Sequence, residues 1–458
     1  MRRDDRWAVD RAVSGVDDGD PGSCTRRTGA SRESTRGRAT LERMSGTPET
    51  RLSNAPERVD VAVVGAGIVG LATAFRLLEQ RPDLRLVVLE REAVVAAHQS
   101  GHNSGVVHAG LYYVPGSQKA LLCREGKGLV ERYCEERGIP IAWPGKLVVA
   151  LDETELPRLA SLKGRGIANG VDGLEEVGPE RIREIEPHVR GVRALWSPRT
   201  GITDFTLVTR AYADDVRARG GSVELSRPAT TIERRPDALV LSTPRGPIQA
   251  KSVIACAGLW SDRVAALTGD RTKDAPSIIP FRGDYYTLTP EAANLVNGLV
   301  YPVPDPRFPF LGVHFTRRID GQVWAGPNAV LAFRRTGYRR RDISVRDLAE
   351  AVANPGFRKL ARKFWRTGAA EMWRDWSKGA FVKEMQRYLP ELRGDQVTFG
   401  PSGVRAQALG RDGTLVDDFD LAGADRVLHV RNAPSPAATS SLAIGARLAA
   451  EAIERFGL

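Results

Sequence analysis

Residues 59–92 read VDVAVVGAGIVGLATAFRLLEQRPDLRLVVLERE, and the local signals in that stretch decide the fold. Residues 59–64 are a valine-rich run that suits a buried strand. Gly65, Gly67 and Gly70 then form a GxGxxG turn, and residues 71–80 carry apolar side chains at helical spacing. Each glycine has its own reason. Gly65 permits the tight turn, Gly67 lets the backbone approach a pyrophosphate, and Gly70 allows the helix to pack closely on the strand. The helix N-terminus adds N–H donors that lack partners within the helix and so suit phosphate oxygens. A second apolar strand, residues 84–89, ends at Glu90, which lies 90 − 70 = 20 residues past the last glycine. A carboxylate at that spacing accepts ribose hydroxyls, and Arg91 beside it is assigned to the same ligand. Strand, turn, helix, strand and acid in register read as a dinucleotide-binding unit. The motif by itself does not choose between FAD and NAD.

Three glycine-punctuated segments extend the pattern. Residues 98–113, HQSGHNSGVVHAGLYY, place His102, Asn103, Ser104, Gly105 and His108 shortly after the first unit, where a redox cofactor needs polar neighbours. Residues 251–260, KSVIACAGLW, run as an apolar strand into Ala257-Gly258, small enough for a backbone to approach a bound ligand. Near the end, RNAPSPAAT (residues 431–439) carries Pro434, Ser435, Ala437 and Thr439 in a proline-set turn before a terminal helix, a second place for amide donors to face negative charge. Residues 400–407, GPSGVRAQ, read as a loop of the same glycine-rich kind.

The chain has 458 residues, of which 42% are apolar and 27% charged, enough for two or three domains' worth of core. Cys24, Cys123, Cys134 and Cys256 have no metal-type spacing, so no metal site is expected, and a reducing cytoplasm is the natural compartment. No apolar run reaches the roughly eighteen residues that span a bilayer. Peripheral contact with the inner face of the cell membrane stays open, because residues 344–375 are helical, amphipathic and basic. The formal charge of +11 is spread along the chain without any nucleic-acid motif, so nucleic acid is not an expected partner. Residues 1–58 are polar and aperiodic, hence expected to be disordered, and Met44 is the expected true start.

The remainder alternates. Residues 117–137 suit a helix stopped by Gly138, 146–151 a strand, 153–169 a helix, and 187–204 a turn-rich return. A helix over 205–219 precedes strands near 223, at 238–242 and at 248–255. Aromatic and β-branched strands at 281–288, 310–316 and 323–326 suggest an antiparallel sheet whose inner face covers the cofactor.

Several longer segments resemble one family: GHNSGVVHAGLYYVPGSQKALLC, CAGLWSDRVA, PFRGDYYTL, PVPDPRFPFLGVHFTRRIDGQVWAGPNAVLAFRRTGY, GVRAQAL and NAPSPAATSSLAIG. Together with the fingerprint they resemble the FAD-dependent L-2-hydroxyglutarate oxidases and dehydrogenases, within the D-amino-acid oxidase-like flavoproteins, over residues 59–456. Trp260 stands where those relatives commonly carry Gln, and Asp284 where Glu is usual. The resemblance implies an α/β fold in which a Rossmann-type FAD domain (59–140, 200–265, 396–456) interleaves with a substrate domain on a mixed or antiparallel sheet (141–199, 266–395). It implies non-covalent FAD, with the helix start near 437–441 favouring negative charge on the flavin.

The implied reaction converts L-2-hydroxyglutarate to 2-oxoglutarate, with hydride passing from C2 to flavin N5, a base taking the hydroxyl proton, and oxygen or a quinone taking the electrons. A neutral histidine suits that base. His98 and His188 lie in expected surface loops, His429 in a core strand, and His102 in the cofactor loop. His108 and His314 remain, one as base and the other as partner of a carboxylate or carbonyl-like oxygen, in either order. The dicarboxylate calls for guanidinium groups, and Arg405 and Arg282 are the candidates, with a rim salt bridge as the alternative for Arg282. Tyr285 or Tyr286 adds a hydroxyl, since strand alternation turns only one inward. Rival readings are a related flavin oxidoreductase of another 2-hydroxy acid, an amino acid or glycerol 3-phosphate, and a flavin-binding protein without turnover.

Overall fold

The computed structural model describes residues 56–270, 275–305 and 312–458. The expectations for Met44, Cys24 and most of the polar N-terminal stretch lie outside these residues. The first strand begins at Glu57, two residues earlier than its apolar run, because Glu57 and Arg58 already pair with Ile248 and Gln249.

Glu57–Val64 lies between Ile248–Ala255 and Leu86–Leu89, parallel to both. Ser222–Glu224 continues the sheet beyond Leu86–Leu89, and Val427–Asn432 joins Ile248–Ala255, again in parallel. Leu86–Leu89 is buried throughout, and Val59 to Val64 likewise, which is why these strands read as continuous apolar runs and not as alternating ones. One face is covered by the helices Ile68–Gln80, Gln118–Arg137, Phe205–Ala218 and Ser441–Phe456, whose apolar sides share a core with Val61, Val63 and Val88. Their ends follow local chemistry. Ser117 accepts the Ala120 N–H at the start of Gln118–Arg137, and Gly138 ends it in the left-handed conformation (φ 62°). The opposite face packs with Leu239, Leu241 and Val264 from an antiparallel extension and the short helix Ser261–Leu267.

The second large sheet is mixed. Ser277–Leu288 is its long strand, and Lys146–Ala150 runs parallel to Leu299–Pro302 within an otherwise antiparallel set. The expected strand at 310–316 begins, among the described residues, at His314. The turn-rich passage 187–204 holds two strands, Arg193–Ser197 and Gly201–Thr203, too short for composition to reveal.

The main departure concerns residues 400–407. Expected as a loop, they belong to a 13-residue strand, Val397–Leu409, paired antiparallel with the whole of Ser277–Leu288 and interrupted only by an irregularity between Asp284 and Tyr286. Its glycines make room instead of turning the chain. A Cβ on Gly403 would stand 2.6 Å from the His102 carbonyl oxygen, so the glycine lets the 98–108 loop lie against the strand. The strand also belongs to the second sheet, although its residues were expected with the cofactor segments.

Candidate active site

A cavity of about 1180 Å³ opens where the C-terminal ends of the parallel strands meet the inner side of the second sheet. Such crevices beyond the carboxyl ends of parallel strands are where α/β folds bind ligands.

At one end lies the glycine turn. Gly65 adopts φ +110°, and a Cβ there would stand 2.4 Å from the Cys256 carbonyl oxygen, so the tight turn depends on glycine. Gly67 precedes the first helical residue and offers no side chain to cap it, while Ile68 N–H donates to Ser100 Oγ at 2.9 Å. Gly70 is set back from the cavity, where a Cβ would strike the Gly65 carbonyl; its role is packing. The Glu90 carboxylate accepts N–H bonds from Ala66 (2.8 Å) and Glu92 (2.9 Å), which fix it in the wall. Arg91 lays its guanidinium 4.1 Å from the Trp260 ring centroid. His98 belongs here too, which corrects its expected place in a surface loop. Its ring nitrogens lie 3.0 Å from Glu92 Oε1 and 2.9 Å from Tyr338 Oη, and the ring packs on Trp260 and lines the cavity.

The 98–108 loop forms the next stretch of wall. Asn103 Nδ2 donates to the carbonyls of Gln99 and Ser100, and its Oδ1 accepts the Gly105 N–H at 2.9 Å, so Asn103 holds the loop's shape. Ser104 lines the cavity; Gly105 stands behind it, where a Cβ would meet the Thr203 carbonyl at 2.5 Å. Gln99, which the sequence did not single out, accepts the Ala406 N–H at 2.9 Å and ties the loop to Val397–Leu409. Ala257, Gly258, Pro434, Ser435, Ala437 and Thr439 all line the cavity. Thr439 Oγ1 accepts the His108 N–H at 3.1 Å, which clamps the C-terminal turn onto the histidine loop.

His108 and His314 come together at the other end. His314 is 6% exposed, and its Nδ1–H donates to the Gly312 carbonyl at 2.9 Å, which leaves Nε2 as the acceptor. Burial pushes this imidazole down to about 3. Burial also holds His108 well below its usual value, with Lys146, His314 and Lys119 adding positive charge nearby. Tyr285 faces the cavity; burial raises its hydroxyl, and the charge and hydrogen bond of Arg405 oppose that rise. Tyr286 turns the other way, against Phe381 in the core of the second sheet and the exposed Phe399 ring.

Arg405 lines the cavity; Arg282 does not, which corrects its substrate reading, and the salt bridge expected as the alternative is present but buried and not on the rim. It is 3% exposed, bound to Asp284 at 2.9 Å and to Asp375 at 3.1 Å, and Asp375 also receives Asn328 Nδ2 at 2.7 Å. Arg282 thus locks its strand to the helix Pro355–Trp376. No local signal marks a partner 93 residues away. Tyr301 and Lys119, also in the wall, were missed because only the fold brings them near the histidines, whereas Tyr112 and Tyr113 follow His108 by four and five residues and could have been found from that adjacency.

A family model described as FAD dependent oxidoreductase matches residues 60–451. A protein of Nematostella vectensis named "L-2-hydroxyglutarate dehydrogenase, mitochondrial" is 50% identical over 421 residues, covering 88% of this chain and 92% of that protein. An Indibacter alkaliphilus protein named "L-2-hydroxyglutarate dehydrogenase" is 45% identical, over 86% of this chain and 99% of its own. Among solved structures, dithionite-reduced L-alpha-glycerophosphate oxidase from Mycoplasma pneumoniae with FAD bound superposes with a TM-score of 0.70 at 23% identity, over 87% of this chain and 95% of that one, and shares the fold.

Proposed function

The chain belongs to the FAD-dependent oxidoreductases, in the group of the L-2-hydroxyglutarate dehydrogenases, and from that premise we propose that it oxidises the C2 alcohol of L-2-hydroxyglutarate to 2-oxoglutarate. The observation that carries this reading is one cavity lined both by a dinucleotide turn with its acid and by His108, His314, Tyr285 and Arg405. FAD is the cofactor, and it supplies the acceptor for the two electrons that leave C2. The residues present fit it: Gly65, Gly67 and the helix start, where Gly67 leaves room for a ligand, suit the pyrophosphate, Glu90 the ribose, and Asn103, Ser104, Ala257, Gly258 and the 434–439 turn the remainder.

His314 takes the hydroxyl proton at Nε2, because its Nδ1–H is committed to Gly312 and burial keeps the ring neutral. His108 hydrogen-bonds a substrate oxygen from the other side. Arg405 receives one carboxylate bidentately, and the Tyr285 hydroxyl supports it. We further assign 59–140, 200–265 and the C-terminal part of 396–456 to the cofactor half, and 141–199 with 266–395 to the substrate half.

Electrons leave to a quinone or to oxygen. Trp365, Trp373 and Trp376 are exposed on the basic helix Pro355–Trp376, a combination suited to the membrane interface, and it favours the quinone. No helix among the described residues is long and apolar enough to cross a membrane. From the cysteine usage and the exposed tryptophans of the basic helix we infer a cytoplasmic enzyme that touches the inner face of the membrane. The test is product formation: the FAD-loaded chain with L-2-hydroxyglutarate and an artificial electron acceptor yields 2-oxoglutarate in proportion to acceptor reduced, and absence of 2-oxoglutarate overturns the reading.

A further inference from the structure

Lys146 opens the strand Lys146–Ala150 and is 2% exposed. Its ammonium lies 4.2 Å from the Tyr301 ring centroid and 5.2 Å from that of Tyr112. Both rings form part of the cavity wall, and Tyr301 is stacked on His314. The neighbouring strands place Leu299 and Ser197 opposite Lys146, and neither carries a charge. The two ring faces favour its charged form, while the nearby Cys123 thiol is held neutral because burial pushes it up to about 12. A buried ammonium thus stands behind the histidine wall with no carboxylate paired to it among the described residues.

The surroundings make that imbalance larger. His108 and His314 both feel Lys146; Lys119 acts on His108 and Arg405 on His314, and all of these are cationic or neutral. Lys119 has its own counter-ion in Asp417 at 2.7 Å. Tyr112, Tyr113 and Tyr301 are held as neutral phenols by burial. Burial lowers the Lys146 ammonium to about 7, so it sheds its proton readily when the cavity holds no negative charge. An anion in the cavity reverses this, because an opposite charge favours the protonated amine.

We propose that Lys146 is a charge-compensating positioning residue for a dianionic substrate: a dicarboxylate entering the cavity draws a proton onto Lys146 behind the Tyr112 and Tyr301 rings, and that proton strengthens binding. The inference rests on the dicarboxylate reading above. Linkage gives the sign. Bound dianion raises the proton affinity of Lys146, so dicarboxylate affinity is greatest below the free-enzyme value and falls as pH rises through and above it.

The test uses FAD-loaded enzyme and glutarate, which has both carboxylates but no C2 hydroxyl to oxidise. Binding is followed by calorimetry at pH 8 in two buffers of different ionisation enthalpy. Wild type is expected to take up roughly one proton per glutarate, with affinity falling up to about tenfold per pH unit between pH 7 and 9. Lys146→Arg keeps a fixed charge and binds without that uptake or that decline; Lys146→Met binds more weakly and also without uptake. Wild type that binds glutarate with no proton uptake overturns the proposal, whether or not the variants fold, and so does undiminished uptake in Lys146→Met. Wild type that does not bind glutarate overturns the dicarboxylate reading itself, and this proposal with it.

Discussion

The rings of His314 and Tyr301 lie 3.9 Å apart at 25°, and the His314 Nδ1–H is held by the Gly312 carbonyl at 2.9 Å, so the imidazole presents one fixed acceptor, Nε2. The proposed base role of His314 predicts a specific kinetic loss when that acceptor is removed. His314→Gln is expected to slow anaerobic flavin bleaching by L-2-hydroxyglutarate about 10²–10⁴-fold while glutarate affinity changes by no more than a few-fold. If His108→Gln shows that pattern and His314→Gln does not, the two roles are exchanged.

Both histidines have their proton affinity lowered by burial, so both remain neutral well below pH 6.5. The bleaching rate constant over KM, followed from pH 8 down to 5.5, should therefore show no fall centred near 6.5. Stability has the matching sign. Below pH 6.5 the unfolded chain binds protons at these histidines that the folded chain refuses, so melting temperature should drop as pH falls below that value. A histidine-type acid limb at 6.5 would mean that the base is exposed to water.

Arg405 and Arg282 separate binding from stability. Arg405→Met removes a cavity guanidinium and should raise KM for the dicarboxylate strongly; an unchanged KM removes Arg405 from the site. Arg282→Met breaks a buried ion-pair cluster and leaves Asp284 and Asp375 short of a partner. It should cost about 3–5 kcal/mol in chemical denaturation with little change in KM.

Gly65 should tolerate no side chain. Gly65→Ala forces a Cβ against the Cys256 carbonyl at φ +110°, and the expected result is protein that loses FAD on gel filtration under conditions where wild type retains it.

What was legible in the sequence follows from the range of the forces involved. The glycine turn, the Ser117 and Gly138 helix ends and the strand ending at Glu90 depend on neighbours within a few residues, and they were read nearly to the residue. The strand Val397–Leu409 was not, because its pairing with Ser277–Leu288 outweighs the local turn tendency of its two glycines. His98 looked like a loop histidine until Tyr338, 240 residues away, supplied a partner. Lys146, heading Lys-Leu-Val-Val-Ala, resembles an exposed strand end; only the approach of Tyr301 and Tyr112 makes it buried. Of the tyrosine pair, alternation required one inward side chain, and the fold chose Tyr285.

The proposed match between this cavity and L-2-hydroxyglutarate is tested most directly by an anaerobic substrate panel. The FAD-loaded chain is mixed without oxygen with L-2-hydroxyglutarate, its D enantiomer, L-lactate, sarcosine and glycerol 3-phosphate, and the flavin band at about 450 nm is followed. Rapid bleaching by L-2-hydroxyglutarate, with the others slower by about 100-fold or more, is the expected result. Faster bleaching by any other member of the panel, or a flavin that stays oxidised with all of them, would contradict the account.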